Sequence, residues 1–119
     1  MSAPTSPSSV YSTFDVVIVP FPYADRLAEK RRPAIVISKP ELTRKYGLTW
    51  LVMVTSAGNR AWDCDVTVSD LKTAGLPAPS LVRPAKIATV DAARILRRIG
   101  RLSAKDSRAL DAELKALLG

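Results

Sequence analysis

Histidine is absent from the 119 residues. That removes the one side chain whose unperturbed pKa lies near neutrality, so acid–base chemistry cannot rest on imidazole, and zinc held by histidine is excluded. A single cysteine, Cys64, rules out an intramolecular disulfide and CxxC-type metal or redox motifs, and fits a reducing compartment. No apolar run approaches the ~20 residues that a membrane-spanning helix needs. The opening MSAPTSPSSVYST lacks both the basic and the apolar region of a secretory signal. The expectation is a cytoplasmic protein with no membrane partner, no metal and no cofactor.

What remains is an apolar fraction of 47%, enough for one domain with its own core. Lys and Arg number 18 against 11 Asp and Glu, a formal net charge of +7. Such an excess favours a polyanionic partner through phosphate neutralisation and counterion release, although charge that serves only solubility gives the same count. Residues 1–12, rich in Ser, Pro and Thr, read as a disordered tail, and 13–119 as the single domain.

Along that domain, Phe14–Pro20 (FDVVIVP), Ala34–Ser38 (AIVIS) and Thr49–Thr55 (TWLVMVT) carry the β-branched enrichment of strands. Asp65–Ser69 alternates like a half-exposed fourth strand, and Ser80–Arg83 and Ile87–Val90 are short candidates on either side of Pro84. A helical turn is expected at Ser69–Gly75, another within Asp91–Arg98, and a strand at Ile99–Leu102. SAKD at Ser103–Asp106 is an N-cap with an acid three residues on, and Leu110, Leu114, Leu117 and Leu118 follow at helical spacing. Short strands, one terminal amphipathic helix and no βαβ rhythm predict a mainly β (α+β) domain, a small bent antiparallel sheet or barrel.

Without histidine, the groups available for chemistry are arginines, hydroxyls and carboxylates. They concentrate in the loop before Pro33 (Asp25, Arg26, Glu29, Lys30, Arg31, Arg32), at Thr55-Ser56 before the Ala57-Gly58-Asn59 turn, in PSLVRP (Ser80, Arg83), and at Arg94, Arg97, Arg98 and Arg101. Each has a plainer reading: Thr55-Ser56 as a turn former, the charges as a solvated face.

The segments FDVVIVPFPYADRLAEKRRPAIVIS, VMVTSAG, GLPAPSLVRPAKIATVD and IGRLSAKD, in that order, resemble the MazF/PemK toxins over roughly residues 13–118. The resemblance implies an SH3-like barrel of the MazF/Kid/CcdB kind and a homodimer. It implies a metal-independent endoribonuclease that cuts single-stranded RNA at short sequences, and a cognate antitoxin whose flexible C-terminal segment occupies the RNA groove. The family's catalytic arginine, in Arg-Pro, falls on Arg32, and its catalytic threonine on Thr55. Ser56 is then a phosphate or base contact, and Arg83 matches an arginine that some members use near the scissile phosphate. Arg31 and Ser80 are further RNA-binding candidates.

These residue types suit the chemistry. RNA supplies its own nucleophile, the 2′-OH, and a planar guanidinium can donate two hydrogen bonds to phosphoryl oxygens as charge grows on them, with a threonine hydroxyl beside it. Guanidinium is a poor base, with a reference pKa above about 12, unless its setting is unusually cation-rich or desolvated, to which Lys30 and Arg31 contribute. Stacking faces for unpaired bases are offered by Tyr23 and Trp62, either of which is alternatively a core or interface aromatic. The chain departs from some members, which carry a histidine in the first loop and an aspartate two residues past the arginine matching Arg83. Here Arg26 and Ala85 stand near those positions, which favours the Arg32/Thr55 arrangement, with Glu29 as a helper. Two rivals share the fold: a non-catalytic toxin that binds DNA gyrase, and a plain nucleic-acid-binding barrel. Neither needs the Arg32/Thr55 pair.

Overall fold

Prolines shape the first hairpin. In the computed structural model, which describes residues 10–22 and 29–119, Asp15–Pro22 (β1) and Glu29–Val36 (β2) pair antiparallel, with Ile18 opposite Pro33, Pro20 opposite Arg31 and Pro22 opposite Glu29. The three pairs share one parity. The Ile18 carbonyl accepts from the Leu96 N–H on the far side of β1, so at this parity backbone groups point out of the β1–β2 ribbon. Proline there costs the ladder no bond. The strand consequently starts at Glu29 rather than Ala34, and Lys30, Arg31 and Arg32 lie on it instead of in the loop that the sequence suggested.

On the other edge of β2 the same proline has the opposite effect. Pro33 turns its missing donor toward Leu48–Ser56 (β3), and β2–β3 pairing runs from Val36↔Leu51 only as far as Ala34↔Met53. Beyond that point the two strands part. β3 pairs along its whole length with Ser80–Asp91 (β5), from Leu48↔Asp91 to Ser56↔Ser80. Between Val52↔Ile87 and Met53↔Arg83, residues Pro84, Ala85 and Lys86 form a bulge. The bulge absorbs the proline, so the two short strands expected around Pro84 are one bent strand.

Val66–Thr67 (β4) joins β5, and Arg97–Arg101 (β6) joins the free edge of β1, giving a curled six-stranded sheet in the order β4-β5-β3-β2-β1-β6. Strand alternation divides it into two apolar faces. Val16, Ile35, Val52, Val54 and Val82 pack with Leu76, Leu102 and Leu110, while Val17, Val19, Ala34, Val36 and Leu51 pack with Ile95. Each fully buried valine, leucine or isoleucine among them is worth about 1.5–3 kcal/mol.

Among the described residues, three α-helices complete the domain. Pro40–Tyr46 (α1), which the sequence reading did not anticipate, buries only Thr43. Leu71–Ala74 (α2) is capped by Asp70, whose carboxylate accepts from the Thr73 N–H at 3.0 Å. Ala104–Leu118 (α3) starts as expected, with the Ser103 hydroxyl accepting from the Asp106 N–H at 3.2 Å. The Asp106 carboxylate is buried and takes both the N–H and the hydroxyl of Ser69 at 2.8 Å. Leu110 is fully buried and Leu114 packs beside it, but Leu117 and Leu118 are exposed, so only the first part of the leucine stripe reaches the core. The fourth expected strand shrinks to Val66–Thr67, and the turn within Asp91–Arg98 is a single 3₁₀ turn, Ala92–Arg94. No described helix is long and apolar enough to cross a membrane.

Candidate active site

The gap left where β2 and β3 part becomes a cleft of about 530 Å³. Its lining includes Lys30, Arg31, Arg32 and Pro33 from β2, Val54, Thr55 and Ser56 from β3, and Asn59 from the turn beyond. Leu76–Ser80 and Ile99 close the far wall. Three cations and no carboxylate line it among the described residues. Alternation sets their directions: Arg32 lies on the face of its partner Val19 and of Ala34, which pairs with Met53, so Arg32 and Thr55 flank the gap on the same face. Arg31 and Ser56 take the other, the face of Ile35 and Val54 on which Leu76 and Ile99 pack.

The turn after β3 fixes the hydroxyls. Thr55 Oγ1 accepts a hydrogen bond from the Asn59 side-chain amide at 2.6 Å. Ser56 Oγ accepts from the Gly58 N–H at 3.2 Å, the Ser56 carbonyl from the Asn59 N–H at 3.0 Å, and the Ala57 N–H reaches Pro79 O at 3.0 Å. Asn59 was legible in the sequence only as a turn former. The signal missed was its spacing four residues beyond a threonine, which brings its amide back over the strand end. Ser80 is buried and donates its hydroxyl to Ala78 O at 2.7 Å, so it braces the wall rather than facing the cleft as a free donor.

Two candidates from the sequence sit together elsewhere. The Arg83 Nε and Nη2 donate to the Asp65 carboxylate, at 2.8 Å for the Nη2 contact, and Nη2 also donates to Arg60 O at 2.8 Å. The Trp62 ring covers the guanidinium at 4.0 Å. Arg83 and Trp62 are absent from the cleft lining, and Arg83 already has a carboxylate partner. It anchors the 60–65 loop. The hydrogen bonds from Arg83, and then that from the Trp62 N–H, hold the Asp65 carboxyl below the usual carboxylate range against the opposing effect of burial, and Asp65 in turn raises Arg83.

A folded-state pKa below the unfolded value means that the pair's stabilisation is full above the unfolded pKa, about 3.9, and fades as pH falls through the lower folded value. Asp65→Asn is therefore expected to melt several degrees below the parent at neutral pH. The gap should close progressively below about pH 4, as read by thermal denaturation across pH.

Tyr23 and Arg26 lie outside the described residues, and Glu29 is placed only by its backbone position opposite Pro22. Among the described residues no group of His, Cys, Asp and Glu side chains is arranged to hold a metal ion.

Comparison with known proteins bears on this arrangement. The family described as PemK-like, MazF-like toxin of type II toxin–antitoxin system matches residues 12–118. The chain belongs to that family. The fold resembles that of Deinococcus radiodurans MazE–MazF (Form-III), at a TM-score of 0.75 and 22% identity over 92% of this chain and 97% of that one. It also resembles free Deinococcus radiodurans MazF (Form-I), at a TM-score of 0.73 and 25% identity over 92% and 97%. A mycobacterial endoribonuclease in complex with its cognate antitoxin aligns at a TM-score of 0.71 and 17% identity over 92% and 95%. None of the curated proteins matches the chain by sequence. As a PemK-like, MazF-like toxin, the chain places its Arg-Pro and Thr-Ser residues on the two strands that border the cleft.

Proposed function

We propose that this toxin is a cytoplasmic, metal-independent endoribonuclease that cuts single-stranded RNA to 2′,3′-cyclic phosphate and 5′-OH ends, acts as a homodimer, and is held in check by a cognate antitoxin. The observation that carries this reading is the cleft: among the described residues, three cations and no carboxylate line it, and Arg32 and Thr55 lie on one face across a gap in the sheet. The antitoxin arm is supported by the relatives solved as MazE–MazF and as an endoribonuclease with its cognate antitoxin.

In the reaction the 2′-oxygen forms a bond to phosphorus and the bond from phosphorus to the 5′-oxygen breaks. One proton leaves the 2′-OH and one reaches the 5′-oxygen. The protein's main task is the dianionic phosphorane between them. Arg32 donates a pair of hydrogen bonds to its oxygens and Thr55 a third, while Lys30 and Arg31 hold flanking phosphates. Among the described residues no acid lines the site to repel that charge.

Incubation of the pure protein with a long single-stranded RNA in EDTA is expected to give discrete cuts ending in cyclic phosphate. Binding without cutting would leave a nucleic-acid-binding barrel. Intact RNA together with inhibited DNA gyrase would favour the non-catalytic toxin.

A further inference from the structure

Thr55 presents one hydrogen and two lone pairs. The Asn59 amide occupies one lone pair at 2.6 Å, so the hydroxyl hydrogen is turned away from the amide. Accepting that bond also makes the hydroxyl a stronger donor. The arrangement is clamped from both sides. Ahead of Asn59, the Ala57 N–H is tied to Pro79 O, and behind it the Arg60 carbonyl is held by Arg83, itself paired to Asp65 and stacked under Trp62. Asn59 also lines the cleft, so the amide and the hydroxyl that it holds share one wall.

We infer that Asn59 is a positioning residue: it fixes the Thr55 hydroxyl as a hydrogen-bond donor aimed at the scissile phosphate. The inference rests on the endoribonuclease reading. It also gives Arg83 a role at a distance, as the anchor of the loop that carries Asn59.

The test is a double-mutant cycle on RNA cleavage under single-turnover conditions with saturating RNA, alongside binding of an RNA whose scissile 2′-OH is replaced by hydrogen. Asn59→Ala should slow the cleavage step about tenfold, less than the 10²–10³-fold that follows outright removal of an oxyanion donor. Binding should change by less than about twofold. In a Thr55→Val background the same substitution should have almost no further effect. Asn59→Asp puts an acceptor where the donor stood and captures the Thr55 hydrogen. Its rate relative to the parent should fall below that of Asn59→Ala at neutral pH, then rise toward it as pH drops into the carboxyl range near about 4. Asn59 is exposed, so parent-like melting of each variant is expected to confirm that it folds.

A parent-like rate for Asn59→Ala overturns the inference alone, as does an equal loss with and without Thr55. A parent protein that cuts no RNA overturns the endoribonuclease reading, and the inference falls with it.

Discussion

Arg32→Ala is expected to lower the RNA cleavage step by about 10³-fold, equivalent to about 4 kcal/mol of transition-state stabilisation, with a much smaller change in RNA affinity. The physical reason lies in where Arg32 sits. It occupies the last stretch of β2 before Pro33, its backbone held by pairing with Val19, and its Nε is buried. A side chain rooted this way loses little freedom when it engages a phosphate, so its two parallel donors meet the charge that develops in the phosphorane without reorganising. Arg32→Lys tests the fork as distinct from the charge. An ammonium keeps the positive charge but not the planar pair of donors, and should recover no more than about tenfold of the loss. Lys30 and Arg31 should behave differently. They are exposed strand residues at the cleft, so their alanine variants should weaken binding while leaving the cleavage step nearly intact. The salt dependence of binding should flatten as well, its log–log slope falling by about 0.7 for each phosphate of a single strand that the variant fails to neutralise. Single-turnover rates and salt titrations separate the two classes. If Arg32→Ala lowered affinity and rate equally, Arg32 would be one more phosphate anchor.

The same residues show how far the sequence can be read. The succession of strands along the chain and the capped terminal helix were legible, because β-branched runs, an N-cap serine and turn glycines act locally. Lys30–Arg32 read as loop because three cations and a proline look like the end of one. Only the pairing partner across β1, with Pro20 and Pro22 at the same parity as Pro33, allows a strand there. Pro84 misleads in the same way, since nothing near it in sequence says that β3 would continue past a bulge in β5. α1 escapes notice despite Pro40 at its start and Gly47 at its end, because with Thr43 as its one buried residue it has no apolar stripe to announce it. At the candidate site, Arg32 and Thr55 are named by the family resemblance alone, and the structure adds that both line one cleft. The diversion of Arg83 to Asp65 is legible only in the structure, because an ion pair separated by 18 residues is set by the register of β4 on β5. That register, Val66 against Val82, brings the residues beside them, Asp65 and Arg83, into reach.

Gly100→Ala should be among the most destabilising single changes available, at about 3 kcal/mol or roughly 12 °C in melting temperature. β6 and the end of α2 meet backbone to backbone. A Cβ on Gly100 would lie 2.6 Å from Thr73 O and closer still to the carbonyl of Ala74. Gly75 faces the reverse way, with φ at 73° and the Ile99 carbonyl against the position its own Cβ would take. Neither partner is a side chain that can swing aside, so the contact can be relieved only by moving α2 off the sheet. That movement would uncover Ala74 and Leu76, both buried, and would shift Leu76–Ser80 and Ile99, which form the far wall of the cleft. RNA affinity should fall along with stability even at temperatures where the variant is folded. Gly58→Ala is the matched control. Its Cβ would only touch Ser56 Oγ at 3.6 Å, an ordinary contact, so its melting temperature should stay within about 2 °C of the parent. If Gly100→Ala melted like Gly58→Ala, α2 would be free to move, and the wall it carries would be a yielding surface instead of a fixed one.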